Sequence, residues 1–319
     1  MNWKRTVLFL AVLILLAGLY YWKVYRPQAA DRIFSLSQDP AQIGALTLNP
    51  KETIDHLIIQ DASKGTEISF LKLKNQSWRM TRPMDGPAES LILEGFVTLL
   101  KLTKRTRSLS FEGLSENEFG FKSPRLVICV STDQRKKERC LLIGADAAIA
   151  NGAYAKWRDE SKYFLVDRNF ISAFDKTLYA LRKKQIFTLL EQPIKSIRFR
   201  SSNREFEIGR DGKHWALVKP VRAVLGDEAA NQLLSQLNGL YVKEFLDHER
   251  FEDSRLALNP GLRMIEVIFE DGSGQRLIQG AEALGRDAYY TRVKDEPSVL
   301  LVSLEKLNKI EKAFHALVS

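Results

Sequence analysis

The sequence repeats itself once, and the two copies are separated by a nearly constant 136 or 137 residues. Trp78 and Pro83 correspond to Trp215 and Pro220, and four further landmarks keep the same spacing. These are Pro124 with Pro260, Gly144 with Gly280, Leu165-Val166 with Leu301-Val302, and Ala180-Leu181 with Ala316-Leu317. Because self-similarity at a fixed separation indicates a repeated structural unit, the sequence predicts two tandem copies of one fold.

Each copy consists mainly of strand-forming runs with few helices. In the first copy, Ile54–Ile59 and the segment around Trp78 are rich in β-branched or alternating apolar residues, and a helical stretch follows Pro87. Sequential strands with few helices favour antiparallel sheets with helices to one side, and not a parallel nucleotide-binding sheet. The predicted fold class is α+β, with residues 54–190 as the first repeat and 191–319 as the second.

An uncharged apolar run extends from Thr6 to Trp22 and ends in three amphipathic rings. Spanning the hydrocarbon layer takes about 20 residues, with a lower end near 17, so this run is long enough. A cleaved signal peptide is the alternative, but the run is longer than the usual apolar region of such peptides and no small-x-small cleavage site follows closely. We predict one transmembrane anchor within residues 1–26 and a linker over 27–53.

The placement of charge gives the predicted orientation. A very short basic N-terminal tail normally stays in the cytoplasm, so we predict a single-pass protein of a bacterial inner membrane with its C-terminal bulk in the periplasm. The net charge of +9 is unevenly placed: residues 1–190 hold 29 basic and 19 acidic residues, a balance of +10, and residues 191–319 hold 19 and 20, a balance of −1. Anionic lipid headgroups near the anchor, or plain solvation of a basic face, account for this excess. Nucleic acid is not an expected partner because no recognition motif accompanies the charge.

A search for catalytic and metal-binding motifs finds none. The sequence lacks the signatures of serine hydrolases, zinc proteases, P-loop enzymes and dinucleotide-binding proteins. Its four histidines have no ligand spacing; they are His56, His214, His248 and His315. We therefore predict a protein that is not an enzyme and that has no cofactor and no metal site.

Repeated aromatic residues are the remaining candidates for a binding surface. Trp78 and Trp215 suit anchoring of a sheet to its helix, although a ring of this size also stacks on ligands such as sugars. Matching strands carry a tyrosine and an arginine in each copy, which favours either a recognition patch or a solvated strand face. The candidate interaction surface consists of Tyr154, Arg158, Tyr289 and Arg292.

Cys129 and Cys140 lie on the two arms of a predicted hairpin. If its turn matches the Asp271-Gly272 turn of the second copy, Cys129 pairs with Leu142 and Cys140 with Ser131. The cysteines then lie diagonally, about 7–8 Å apart, which is marginal for a disulfide. A register shift of two residues would bring them directly opposite on the same face. From the first register we expect two unpaired thiols.

These motifs resemble a bacterial family known as the domain-of-unknown-function 4340 family. The similar segments are the two Trp-x-x-x-x-Pro strand ends, the FGFKSP segment Phe119–Pro124, the YAKWR and YFLV pair, and the LRKKQIF segment Leu181–Phe187. The resemblance implies a membrane-anchored protein that is often encoded beside ABC-type transport components similar to gliding-motility auxiliary proteins. It implies an accessory role in an envelope transport assembly, and it implies no catalytic residue.

Three functions are therefore compared. The first is a non-enzymatic envelope protein that serves an ABC-transporter-like assembly as an accessory or interaction subunit, with membrane lipid contacted through the anchor. The alternative is a binding module for an envelope polymer or lipid. An enzyme of unrecognised type is the third.

The anchor prediction has a direct test. Full-length protein should remain in the membrane fraction after carbonate washing, with its N-terminal sequence intact, because Thr6–Trp22 spans the bilayer. Protease added to spheroplasts should degrade the C-terminal bulk. A mature form that starts near Asp31 would show a cleaved signal peptide, and protection from protease would show the opposite orientation.

Overall fold

The computed structural model describes residues 52–103, 107–109, 115–132, 135–147, 151–212, 214–247, 251–259 and 261–317. The predicted anchor and nearly all of the predicted linker lie outside these residues, as do His248 and the repeat landmark Pro260. Within the described part of the chain, no helix is long and apolar enough to cross a membrane.

The strands form two antiparallel sheets, which confirms the α+β class. The first sheet contains β1 (Ile54–Asp61), β2 (Thr66–Lys72), β3 (Trp78–Arg82), β4 (Gly86–Pro87), β5 (Arg107–Leu109), β6 (Leu126–Thr132), β7 (Arg135–Asp146), β8 (Gly152–Trp157) and β9 (Tyr163–Asp167). Its order is β4-β3-β2-β1-β6-β7-β8-β9-β5. Short turns join most consecutive strands, and such connections produce antiparallel neighbours.

The second sheet contains β10 (Ile194–Ser201), β11 (Glu205–Asp211), β12 (His214–Lys219), β13 (Ala223–Val224), β14 (Val242–Leu246), β15 (Arg263–Phe269), β16 (Gly274–Ala283), β17 (Ala288–Val293) and β18 (Val299–Ser303). Its order is β13-β12-β11-β10-β15-β16-β17-β18-β14, which is the first order with nine added to every strand number. Trp78 and Trp215 both lie in the strand next to the sheet edge, β3 and β12. The two tryptophans of the repeat therefore occupy corresponding strands.

Five helices accompany the sheets in the described residues: α1 (Ser90–Leu102), α2 (Arg168–Phe174), α3 (Leu178–Leu181), α4 (Asp227–Asn238) and α5 (Leu304–Ala316). Helix α1 begins three residues after Pro87, because Pro87 itself pairs with Arg79 of β3. Trp78 is buried, and its indole N–H donates to Glu94 of α1 at 2.7 Å. The ring therefore anchors its strand to the helix, as one of the two interpretations of the tryptophans predicted.

The described residues form two compact units. One contains residues 52–54, 58–66 and 97–174, and the other contains 55–57, 67–96 and 175–317. The unit that contains residues 175–317 is here called the second unit. Its main core packs residues of β10–β12 and β15 against Leu233, Leu237, Ile310 and Phe314 of α4 and α5. The division into residues 54–190 and 191–319 describes the sequence repeat, and it stays a prediction.

The expectation of two unpaired thiols is wrong. Cys129 of β6 lies directly opposite Cys140 of β7, with the Cα atoms 4.0 Å apart, and the two form a disulfide. The register differs by two residues from the one that the Asp271-Gly272 turn suggested. The chain reverses earlier than Arg135-Lys136, because Thr132 already lies opposite Arg135. A register irregularity between Val130 and Thr132 then leaves the two cysteines directly opposite each other. Because the shift is even, the side chains keep their faces.

Two glycines of the repeat lie in strands at the point where a loop backbone passes very close to the sheet. A Cβ atom on Gly144 would lie 2.0 Å from the carbonyl oxygen of Phe119, and one on Gly280 would lie 2.1 Å from that of Leu256. The next amide in each strand donates to that oxygen, Ala145 N to Phe119 O at 2.8 Å and Ala281 N to Leu256 O at 2.7 Å. In each repeat a loop backbone therefore crosses the sheet where a side chain cannot fit.

We expect Gly144→Ala and Gly280→Ala each to lower the free energy of unfolding by about 1–3 kcal/mol, because the methyl group displaces the crossing backbone. Gly95→Ala is the matched control, since Gly95 lies in α1 with no atom within 4 Å of an added Cβ. Alanine there should be neutral or stabilising by up to about 1 kcal/mol. Urea unfolding of the purified protein measures all three. A Gly144→Ala variant as stable as Gly95→Ala would contradict the crossing.

Candidate interaction surfaces

Tyr154 and Arg158 are the first two predicted interaction residues. Tyr154 lies on β8, half-buried, and its ring meets Phe119 edge-on with centroids 4.8 Å apart. Phe119, Phe121 and the Cys129–Cys140 disulfide belong to the same small apolar cluster. Arg158 follows the strand and is exposed. Tyr154 thus packs on the sheet face that the loop with Phe119 and Phe121 crosses, whereas the Arg158 side chain is accessible to a partner.

Tyr289 and Arg292 are the other two predicted residues, and both lie on β17. They are three positions apart, so they point to opposite faces of the sheet. The Tyr289 hydroxyl donates to Asn308 of α5 at 3.0 Å, while Arg292 donates to Asp253 at 2.8 Å. Within this strand the two side chains do not form one patch. The role of all four residues in recognition stays a prediction.

A groove of about 640 Å³ lies in the second unit, where sequence analysis identified no site. Its lining is rich in amides and charged groups, and includes Asn75, Glu89, Gln185, Gln192 and Asp295. Leu91 and Tyr241 also line it, and their exposed fractions are 82% and 47%. The lining comes from segments far apart in the sequence, which is why no local pattern indicated it.

Two amides of the groove lining are held by hydrogen bonds within the protein. Gln275 donates from Nε2 to the Thr188 hydroxyl at 2.6 Å and accepts from the Thr188 N–H at 2.9 Å. Gln185 donates to both oxygens of Asn238 at 3.0 Å. These bonds hold the amides in fixed orientations. The groove is therefore a shaped polar surface with two exposed apolar side chains, which suits an extended peptide or a polymer.

Arg182, from the LRKKQIF segment, forms a buried ionic network in the same unit. It is 1% exposed, and its Nη1 donates to the two oxygens of Asp247 at 2.6 and 2.7 Å. Its Nη2 donates to Glu296 and, at 3.1 Å, to the Ser298 hydroxyl. The guanidinium carbon lies 3.6 Å from the centroid of the Phe245 ring. The guanidinium group is planar and always charged, and its N–H donors form a fork that reaches both carboxylates. Lysine cannot replace arginine at such a position.

Burial governs the protonation of this network. Loss of solvation raises the pKa of the Glu296 carboxyl above its ordinary value, and the charge of Arg182 and the hydrogen bonds from Ser298 and Arg182 offset part of that rise. The carboxyl groups are thus held by one buried cation. The network ties Arg182 to β14 and to the turn before β18, and it is a structural clamp.

Comparison with known proteins gives one positive result. The sequence profile of the family described as Domain of unknown function (DUF4340) matches residues 78–260, which is more than half of the chain. This match confirms the resemblance inferred from the repeated motifs. No curated protein and no solved structure matches the chain.

Replacing Arg182 tests the clamp. We expect Arg182→Met to lower the free energy of unfolding by about 3–5 kcal/mol, because the buried Glu296 and the partly buried Asp247 would be left without their cation. The loss should be larger at about pH 8 than at about pH 5, since the Glu296 carboxyl, whose pKa burial raises in the folded state, destabilises the fold as it ionises. Arg255→Met is the control: its ion pair with Glu252 is exposed, and its effect should stay within about 0.5 kcal/mol. Equal effects for the two variants would contradict the clamp.

Proposed function

Because the chain belongs to the DUF4340 family, we propose that it is a non-enzymatic, membrane-anchored envelope protein that acts as an accessory subunit of an ABC-transporter-like assembly. The transporter partner follows from what the family resemblance implies. The observation that carries an interaction role is the groove, whose exposed Leu91 and Tyr241 border a polar floor. Exposed apolar side chains around fixed hydrogen-bonding groups are typical of protein-binding surfaces.

The proposed architecture is one transmembrane helix followed by two tandem copies of a sheet-and-helix unit. Equal strand orders and matching crossings at Gly144 and Gly280 support the two copies. The bulk of the chain lies in the periplasm in this proposal. The Cys129–Cys140 disulfide supports that location, because disulfides persist in oxidising compartments.

A binding module for an envelope polymer is the second candidate. It is favoured by the amide-rich lining of the groove, because fixed amides recognise hydroxyl-rich polymers through paired hydrogen bonds. Tyr241 supplies an accessible ring on which a sugar can stack.

Affinity purification of the full-length protein from detergent-solubilised membranes tests the first candidate. The wild type should recover ABC-type membrane subunits, and Leu91→Glu should reduce recovery at least about tenfold, as loss of a central anchor does. Leu284→Glu is the matched control, because Leu284 is equally exposed but lies outside the groove lining. Recovery of no transporter subunit by the wild type contradicts the proposal. Sedimentation of the wild type, but not Tyr241→Ala, with purified cell-wall polymer would favour the second candidate.

A further inference from the structure

A depression of about 610 Å³ lies in the second unit, between the last turns of α5 and the sheet, and is here named the α5 pocket. It shares no lining residue with the groove described above. Charged and polar side chains line it, among them Arg204, Arg263, Gln279, Tyr289, Glu311 and His315. The pocket is therefore a separate polar site in the same unit.

The first repeat has apolar residues at the corresponding strand positions. Arg263 lies opposite Gln279 in the first residue pair of β15 and β16. Leu126 lies opposite Ile143 in the first residue pair of β6 and β7, and both are buried. The same sheet is thus built with an apolar pair at this place. Packing of the fold therefore does not require the polar pair of the second repeat.

Helix α5 contributes a carboxylate and an imidazole from a part that its counterpart lacks. Helix α2 ends at Phe174, and the repeat spacing of 136 places Ile310 at that position in α5. Helix α5 continues to Ala316, and Glu311 and His315 lie in this extension, one turn apart. Among the described residues, the longer helix and the polar strand pair thus occur together in the second repeat.

These side chains form a continuous row of polar contacts. Glu311 lies between Arg263 and His315, with Oε2 2.9 Å from Arg263 Nη2 and Oε1 3.8 Å from His315 Nε2. On the other side of the ring, Arg204 Nη1 lies 3.0 Å from His315 Nδ1. Because a guanidinium group only donates, Nδ1 accepts and the imidazole carries its proton on Nε2. Two guanidinium groups and one carboxylate leave a charge of +1, which favours an anion with a single charge.

Gln279 provides an independent sign of a ligand. It is 3% exposed and lies two residues from the core residue Leu277, so its side chain points to the face that α5 covers. Its side-chain amide forms no hydrogen bond with any residue that the structure describes. A buried amide without a partner destabilises a fold. Its position in the lining of an open pocket indicates that a bound group supplies the missing hydrogen bonds.

We infer that the α5 pocket binds the C-terminal end of a peptide. A terminal carboxylate carries one negative charge, and the exposed Arg204 offers it charged N–H donors. An amide side chain both donates and accepts, so Gln279 donates to the carboxylate and accepts from the N–H of the last peptide residue. Leu262, 47% exposed at the same pocket, packs against an apolar side chain of that residue.

This ligand fits the pocket better than a phosphate group does. A fully ionised phosphate ester has acceptors only, so it leaves the oxygen of the Gln279 amide without a donor. It also carries more negative charge than the single excess positive charge of the pocket neutralises. Because the α5 pocket is separate from the groove, the peptide site does not depend on the proposed transporter partner.

Fluorescence anisotropy with the purified full-length protein in detergent tests the site. One probe is a short peptide that ends in alanyl-leucine with a free carboxylate and carries fluorescein at its N-terminus. The second probe is the same peptide with a C-terminal amide. We expect the free acid to bind at least about tenfold more tightly, because only the acid has a charge that Arg204 neutralises.

Two variants should weaken binding of the free acid at least about fivefold each, Arg204→Gln by removing a charged donor and Gln279→Ile by removing the amide. Gln279→Ile introduces the side chain that Ile143 has in the first repeat, so its melting temperature should equal or exceed that of the wild type. Arg200→Gln is the matched control, since Arg200 is an exposed arginine of β10 outside the pocket lining. Its affinity should equal that of the wild type.

Equal binding of the acid and the amide overturns the inference, and so does the absence of binding by either probe. An equal loss with Arg200→Gln and Arg204→Gln also overturns it, because attraction by net charge alone then explains the binding. Full binding by folded Gln279→Ile contradicts the role of the amide. Displacement of the probe by inorganic phosphate at a lower concentration than by N-acetyl-leucine shows a phosphate site and overturns the peptide assignment.

Discussion

The buried guanidinium of Arg182 is the interaction on which the second compact unit depends most. A cation with 1% exposure is tolerated only when carboxylates and polar groups satisfy it, and here Asp247, Glu296 and Ser298 do so. The same residue bridges to Ala88 beside β4. Because an unpaired buried charge is so costly, the segment around Arg182, the turn before β18 and the edge strand can take only one mutual arrangement.

This clamp also explains why the two sheet edges differ. Both sheets end in a two-residue strand with the same hydrogen bond to the tryptophan strand. Among the described residues, only β4 has a segment paired to its outer side, and Glu296 and Pro297 pack against its glycine, Gly86. The corresponding β13 carries two exposed valines instead. A repeated fold thus produces unequal surfaces, since one copy covers what the other leaves open.

Much of the fold could be predicted because its signals are local. The alternation of apolar residues indicated antiparallel strands, and equal spacing of tryptophan, proline and glycine indicated a repeat. Gly144 and Gly280 turned out to have one physical role, since a loop carbonyl occupies the place of a side chain at each. The cysteine register was wrong because the first hairpin turns earlier in the chain than the Asp271-Gly272 turn suggested, with Thr132 already opposite Arg135. No pattern in a short window shows such a shift before the strands are aligned.

The difference between what the sequence predicts and what only the tertiary structure shows is larger for the candidate sites than for the fold. Sequence alone determined the α+β class, the repeat and the positions of its buried rings and glycines, because these follow from periodicity and from residue type. Tertiary structure alone decided the disulfide, the groove and the covered edge. The partners of Arg182 are 65 and 114 residues away from it in the sequence. Contacts of that range depend on how separate segments pack together, and a segment's own composition does not specify which distant partner will neutralise its charge or cover its edge.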